Sequence, residues 1–181
     1  MIWAIIFTAI VLLYIVSVYN KLKTTQQHVK EAWSNIDTHL KRRYELIPNL
    51  VETVKGYAKH EKDTLEAVVE ARNSAMNATN EEDKFKQENA LSGTLKTLFA
   101  LSESYPDLKA NTNFLSLQEQ LQAVEQDIAN ARKYYNSVVK MLNTKIEMFP
   151  SNIIAKKFNF TKRTMFEVSN ATERENVKVE F

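Results

Sequence analysis

Hydrophobic and polar positions alternate along this chain with helical spacing over most of its length. The first 19 residues, MIWAIIFTAIVLLYIVSVY, carry no charged side chain. At about 1.5 Å per residue they reach roughly 28 Å, close to the hydrocarbon thickness of a bilayer. Trp3 and Tyr19 stand near the two ends, where interfacial aromatics are placed, and Lys21 and Lys23 follow directly. A basic n-region and a small-x-small cleavage site are both missing, so the stretch reads as a single-pass anchor through the lipid bilayer and not as a cleaved leader. With Lys21, Lys23 and Lys30 after the span, the positive-inside rule favours the cytoplasmic side of a cell's inner membrane for the bulk of the chain. The near-absent N-terminal flank leaves the opposite orientation open.

Beyond the anchor, apolar residues recur at Leu22, Val29, Trp33, Ile36, Leu40 and Ile47, with Gln26 and Arg43 on two further steps of the same seam. Nothing breaks the pattern between anchor and domain, so the first helix is expected to leave the bilayer uninterrupted. Pro48 then predicts a kink or a new helix start, because proline removes an amide donor and crowds the preceding turn. The stripe resumes at Val51, Val54, Ala58, Leu65 and Val68 and runs to about Ala78, with Glu61 on it.

NATNEEDK, residues 77–84, reads as the first loop. Asn80 is a candidate N-cap, and Glu81, Glu82 and Asp83 suit the positive end of the helix that follows. That helix carries Phe85, Leu91, Leu95, Leu98, Phe99 and Leu101 and is expected to stop near Tyr105-Pro106. After a turn-like SYPDLKANTN, the positions Phe114, Leu117, Leu121, Val124, Ile128, Ala131, Tyr135, Val138 and Leu142 alternate spacings of three and four. Such a sustained heptad seam predicts a long helix packed along another. Phe149-Pro150 ends it, with Phe158, Phe160 and Phe166 as anchoring side chains beyond.

The expected architecture is all-α: an N-terminal transmembrane helix continuing into an elongated antiparallel bundle of three to four long helices. It divides into an anchor at 1–20, a helical-bundle domain at 21–168 and a flexible polar tail at 169–181. Composition fits this picture, since two glycines and three prolines leave little turn chemistry for many short strands. A net charge of +2 is too balanced for a nucleic-acid binder. The absence of cysteine removes disulfides, thiolate metal sites and cysteine nucleophiles.

The densest chemistry lies in KRRYELIPNLVETVKGYAKHE, residues 41–61. His60-Glu61 lacks the second histidine of HExxH, and His28 and His39 stand too far apart on a helix to share an ion. No metal or cofactor is therefore expected. Glu45 and Glu52 share a face with Asn49 between them, a spacing open to acid–base work. Helix-surface ion pairs, such as Asp37 with Lys41 and Glu45 with Lys41 or Arg42, are the simpler reading. Lys41, Arg42 and Arg43 lie roughly 33 Å beyond Tyr19 on a straight helix, far outside a Debye length of about 8 Å, so they do not sense the same membrane. Arg43 on an apolar seam demands a carboxylate from another helix or subunit, and Glu61 demands a cation for the same reason. Gly56, aligned with Glu45, Asn49 and Glu52, offers room for a neighbouring backbone. The stretch reads as a kinked junction carrying a contact surface of Asp37, Lys41, Arg42, Arg43, Glu45, Asn49, Glu52, Gly56, His60 and Glu61, with no catalytic residue.

The run AWSNIDTHLKRRYELIPNLVETVKGYAKHE at 32–61 resembles the signature of the LemA family of bacterial membrane proteins. The likeness continues through SYPDLKANTNFLSLQEQL at 104–121, ARKYYN at 131–136 and FP to FNF at 149–160. Two departures stand out: TTQQHV at 24–29 lacks the family's arginine, and FNF replaces FGF. The resemblance implies an anchored helical bundle without established enzymatic activity or cofactor, linked to cell-envelope upkeep. Two functions follow as expectations. One is a self-associating, membrane-anchored scaffold that organises the bacterial envelope; the other is an adaptor for a membrane machine such as a quality-control protease.

Overall fold

The computed structural model describes residues 1–166, so the tail expected at 169–181 lies outside the described residues. Among the described residues the secondary structure is helical throughout: α1 (Ile2–Tyr57), α2 (Lys62–Asn77), α3 (Glu81–Ser102), α4 (Pro106–Lys109), α5 (Thr112–Glu147) and α6 (Ser151–Lys157). The all-α antiparallel packing agrees with the sequence pattern. Asn80 caps α3 as expected, its side chain accepting from the Asp83 amide at 2.8 Å. Glu81, Glu82 and Asp83 follow in the first turn, where negative charge meets the positive helix end.

The expected break at Pro48 does not occur, since α1 runs through it. Pro48 leaves the Tyr44 carbonyl without its helical donor, and Arg72 Nε fills that place from α2 at 2.8 Å. A tertiary hydrogen bond thus replaces the one proline removes, which offsets part of the cost of an interior proline. The break falls instead at Ala58–Glu61, ten residues later in the chain. Ala58 and Leu65 keep the same phase across this turn, both buried, so the apolar stripe passes through it unbroken.

Two compact units emerge. The first combines Met1–Asp37 with Asn130–Met165. There α1 and α5 run antiparallel: Trp33 meets the Tyr135 ring at 5.7 Å between centroids, and Lys145 Nζ donates to Thr25 Oγ1 at 2.7 Å. Leu22, Val29 and Ala32 of α1 bury with Tyr135, Val139 and Leu142 of α5. The strand of coil after α6 is pinned by Asn143, which donates to the Arg163 carbonyl and accepts from its amide, each at 2.9 Å. Asn159 sits at φ 56°, in the left-handed region.

The second unit holds Thr38–Ala129 and, of the described residues after it, Phe166. Its core comprises Leu40, Ile47, Leu50 and Val54 of α1, Val68 and Ala75 of α2, Leu91, Leu95 and Leu98 of α3, and Phe114, Leu121, Val124 and Ile128 of α5. Phe166 closes one side, its ring 3.9 Å from that of Phe85.

Candidate interaction surface

The residues singled out between 37 and 61 separate into a buried set and an exposed set. Arg43 is 0% exposed and therefore leaves the predicted contact surface. Its guanidinium pairs with Glu88 of α3 and with Glu125 of α5 at 2.6 Å. It also donates to Ser92 Oγ at 2.9 Å, and Ser92 in turn donates to Glu125 at 3.2 Å. Glu88, likewise 0% exposed, accepts from the Tyr44 phenol and has Lys84 at 4.0 Å. Lys84 donates to the Ala75 carbonyl in the last turn of α2 at 2.8 Å and lies 5.3 Å from the centre of the Tyr44 ring.

Two cations thus face two carboxylates. Arg43 and Glu88, both fully buried, need each other, because an uncompensated ion in a low-dielectric core costs several kcal/mol. The carboxylate that the seam position demanded comes from within the chain. Glu88 could have been read in the same way, since it occupies the seam step between Phe85 and Leu91.

Glu61 corrects another expectation. It receives a phenol in place of a cation: Tyr105 donates to its carboxylate at 2.7 Å. That bond, with desolvation and the nearby negative charge, raises the Tyr105 pKa above its ordinary value. Beside it, Asn111 donates to the Tyr57 hydroxyl at 2.8 Å. No backbone of this chain packs on Gly56: a Cβ built there meets nothing within 4 Å, and the position faces open space. It sits in the exposed last turn of α1, where its weak helix propensity suits the approaching turn.

Lys41, Arg42, Glu45, Asn49, Glu52 and His60 are all exposed, and Asp37 is half-buried. Glu52 and Lys55 approach to 3.5 Å, both well solvated, a pairing worth little by itself. At the candidate membrane span, Trp3 is exposed and Lys21 and Lys23 face solvent. Tyr19 is half-buried instead, its ring 4.8 Å from that of Phe158 and 5.8 Å from that of Phe160. The apolar N-terminal part of α1 is long enough to cross a membrane and none of it is buried against protein.

One concavity stands out in the second unit, and the sequence pattern did not isolate it. A groove of about 890 Å³ runs between the end of α1 and the start of α2. Val51, Ala58, Leu65 and Val69 supply its apolar floor, and Glu52, Lys55, Lys59, Lys62, Glu66 and Glu70 its charged rim. Val69 is 40% exposed in it. Only the hairpin turn at Ala58–Glu61 brings these residues face to face, so without that turn they read as a plain stripe. Among the described residues no group of three or more histidine and carboxylate side chains is placed to hold a metal ion.

A family model described as the LemA family matches residues 32–181. Protein LemA of Metamycoplasma hominis is 28% identical over 165 residues, spanning 89% of this chain and 73% of that protein.

Proposed function

The chain belongs to the LemA family, and on that premise we propose that it is a membrane-anchored, non-enzymatic scaffold that associates with copies of itself through the α1–α2 groove. Residues 1–19 hold it in a bacterial cell membrane, with the rest of the chain on the cytoplasmic side. Its role is to organise or remodel that envelope membrane by assembling along it.

The observation that carries this reading is the arrangement of charge around the groove. Lys55, Lys59 and Lys62 cluster at the turn end, whereas Glu66 and Glu70 lie one and two turns farther along α2. A second copy related by a two-fold axis lays its glutamates over these lysines and offers its own lysines to these glutamates, as a self-complementary interface requires. The apolar floor supplies area, and the rim supplies alignment. Existing rim pairs, such as Lys62–Glu66 at 3.4 Å with both side chains mostly exposed, are weak enough to exchange partners.

Light scattering on the full-length chain in detergent tests this. The expected result is a discrete oligomer that Lys59→Glu with Lys62→Glu dissociates and that adding Glu66→Lys with Glu70→Lys restores. A monodisperse monomer under all conditions would sink self-association. The groove would then be assigned to another protein, and the adaptor reading would replace the scaffold.

A further inference from the structure

We infer that α6 and its flanks form an interfacial foot that lies on the anionic surface of the same bilayer the anchor spans. This rests on the reading of residues 1–19 as an anchor, and it adds a second membrane contact that the hydropathy pattern does not reveal.

Position comes first. Tyr19, at the end of the apolar span, is in ring contact with both Phe158 and Phe160. These contacts hold the chain after α6 at the level where the span leaves the hydrocarbon. The descending end of α5 arrives at the same level: Lys145 bonds Thr25, only about 9 Å along α1 from Tyr19. Glu147 then ion-pairs with Lys162 beyond α6, which closes the loop that carries the foot.

Chemistry comes second. Ile154 and Ala155 turn inward and are buried, while Phe149 is 79% and Ile153 61% exposed. Ile153 and Lys157 follow at four-residue spacing on the outer face of α6 with Lys156 beside them, and Phe149 stands exposed in the turn that leads into the helix. A face that carries large exposed apolar groups and then adjacent ammonium groups suits the boundary between acyl chains and headgroups. The apolar pair enters the boundary, and the lysines snorkel to anionic headgroups. The ring contact of Tyr19 with Phe158, the residue that follows α6, keeps this helix beside the end of the unburied apolar span, which favours lipid over a second protein copy.

The chain has no native cysteine, so single labels report cleanly. Full-length protein carrying a polarity-sensitive fluorophore at Ile153→Cys, Ile10→Cys or Lys96→Cys is reconstituted into vesicles with and without anionic lipid. The expected result is quenching at 153 by lipids spin-labelled near the headgroup, severalfold above that at 96, together with quenching at 10 by lipids labelled deep in the chain. Lys156→Glu with Lys157→Glu should remove most of the signal at 153 on anionic vesicles and leave that at 10 unchanged. A label at 153 that behaves like the one at 96, with 10 still quenched, overturns the foot and leaves the anchor standing. No quenching at 10 removes both. Protection at 153 that follows protein density and not anionic lipid assigns the face to another copy and also overturns the proposal.

Discussion

Arg72 donates its Nε–H to the carbonyl oxygen of Tyr44 at 2.8 Å, and that oxygen is the one Pro48 leaves without a helical donor. The proline and the arginine are therefore a functional pair although they never touch in sequence. Arg72→Ala should cost about 1–3 kcal/mol, the usual range for a buried acceptor left unsatisfied. In a Pro48→Ala background the helix supplies its own donor, and the same Arg72→Ala change should cost about 1 kcal/mol less. Denaturant titrations of the four variants, followed by helical circular dichroism, would check the coupling. Equal costs in both backgrounds would reject it.

Arg43 should behave as a core residue. Arg43→Met removes the cation closest to the fully buried Glu88, and a loss of about 3–5 kcal/mol is expected. Adding Glu88→Leu should recover part of that loss, because it removes the buried carboxylate along with its missing partner. Thermal unfolding of the single and double variants would read this. A surface role for Arg43 predicts little change in either.

The Tyr105–Glu61 bond carries a pH signature. A phenol whose folded pKa is raised holds its stabilising bond below the ordinary tyrosine value of about 10, and the contribution is lost as pH rises through the folded value. Stability should therefore fall more steeply in the alkaline range for the parent chain than for Tyr105→Phe. Ultraviolet titration should show one phenol ionising late, and Glu61→Gln should return it toward the ordinary range. A Tyr105 that titrates with the bulk tyrosines would contradict the bond.

Asn159 occupies the left-handed region at φ 56°, which asparagine tolerates and β-branched residues do not. Asn159→Gly should be neutral or slightly stabilising, whereas Asn159→Val should cost about 1–2 kcal/mol. Melting temperatures of the two variants would decide, and equal values would show that the turn does not constrain this residue.

Much of this fold was readable from spacing alone. The seam from Leu22 to Ile47, the cap at Asn80 and the heptads from Phe114 to Leu142 all follow from periodicity and capping chemistry, which act locally. The turn at Ala58–Glu61 was hidden because Ala58 and Leu65 stay in phase across it. Arg72 was invisible because an orphaned carbonyl finds its donor only after helices pack. Arg43 announced its need for a carboxylate, but a charge on one seam does not say which helix will answer. The groove arose from the same hidden turn, and the exposed face of α6 was masked by the brevity of that helix.

The placement of Glu125 beside Arg43 has a consequence for how the last long helix finds its seat. A seven-residue slip of α5 would keep its apolar ridge in phase. It would also bring Gln118 or Arg132 to the guanidinium in place of Glu125. One slip leaves a carboxylate short, and the other sets two arginines face to face. The buried ion pair thus acts as an address label that rejects docking of this helix one heptad up or down.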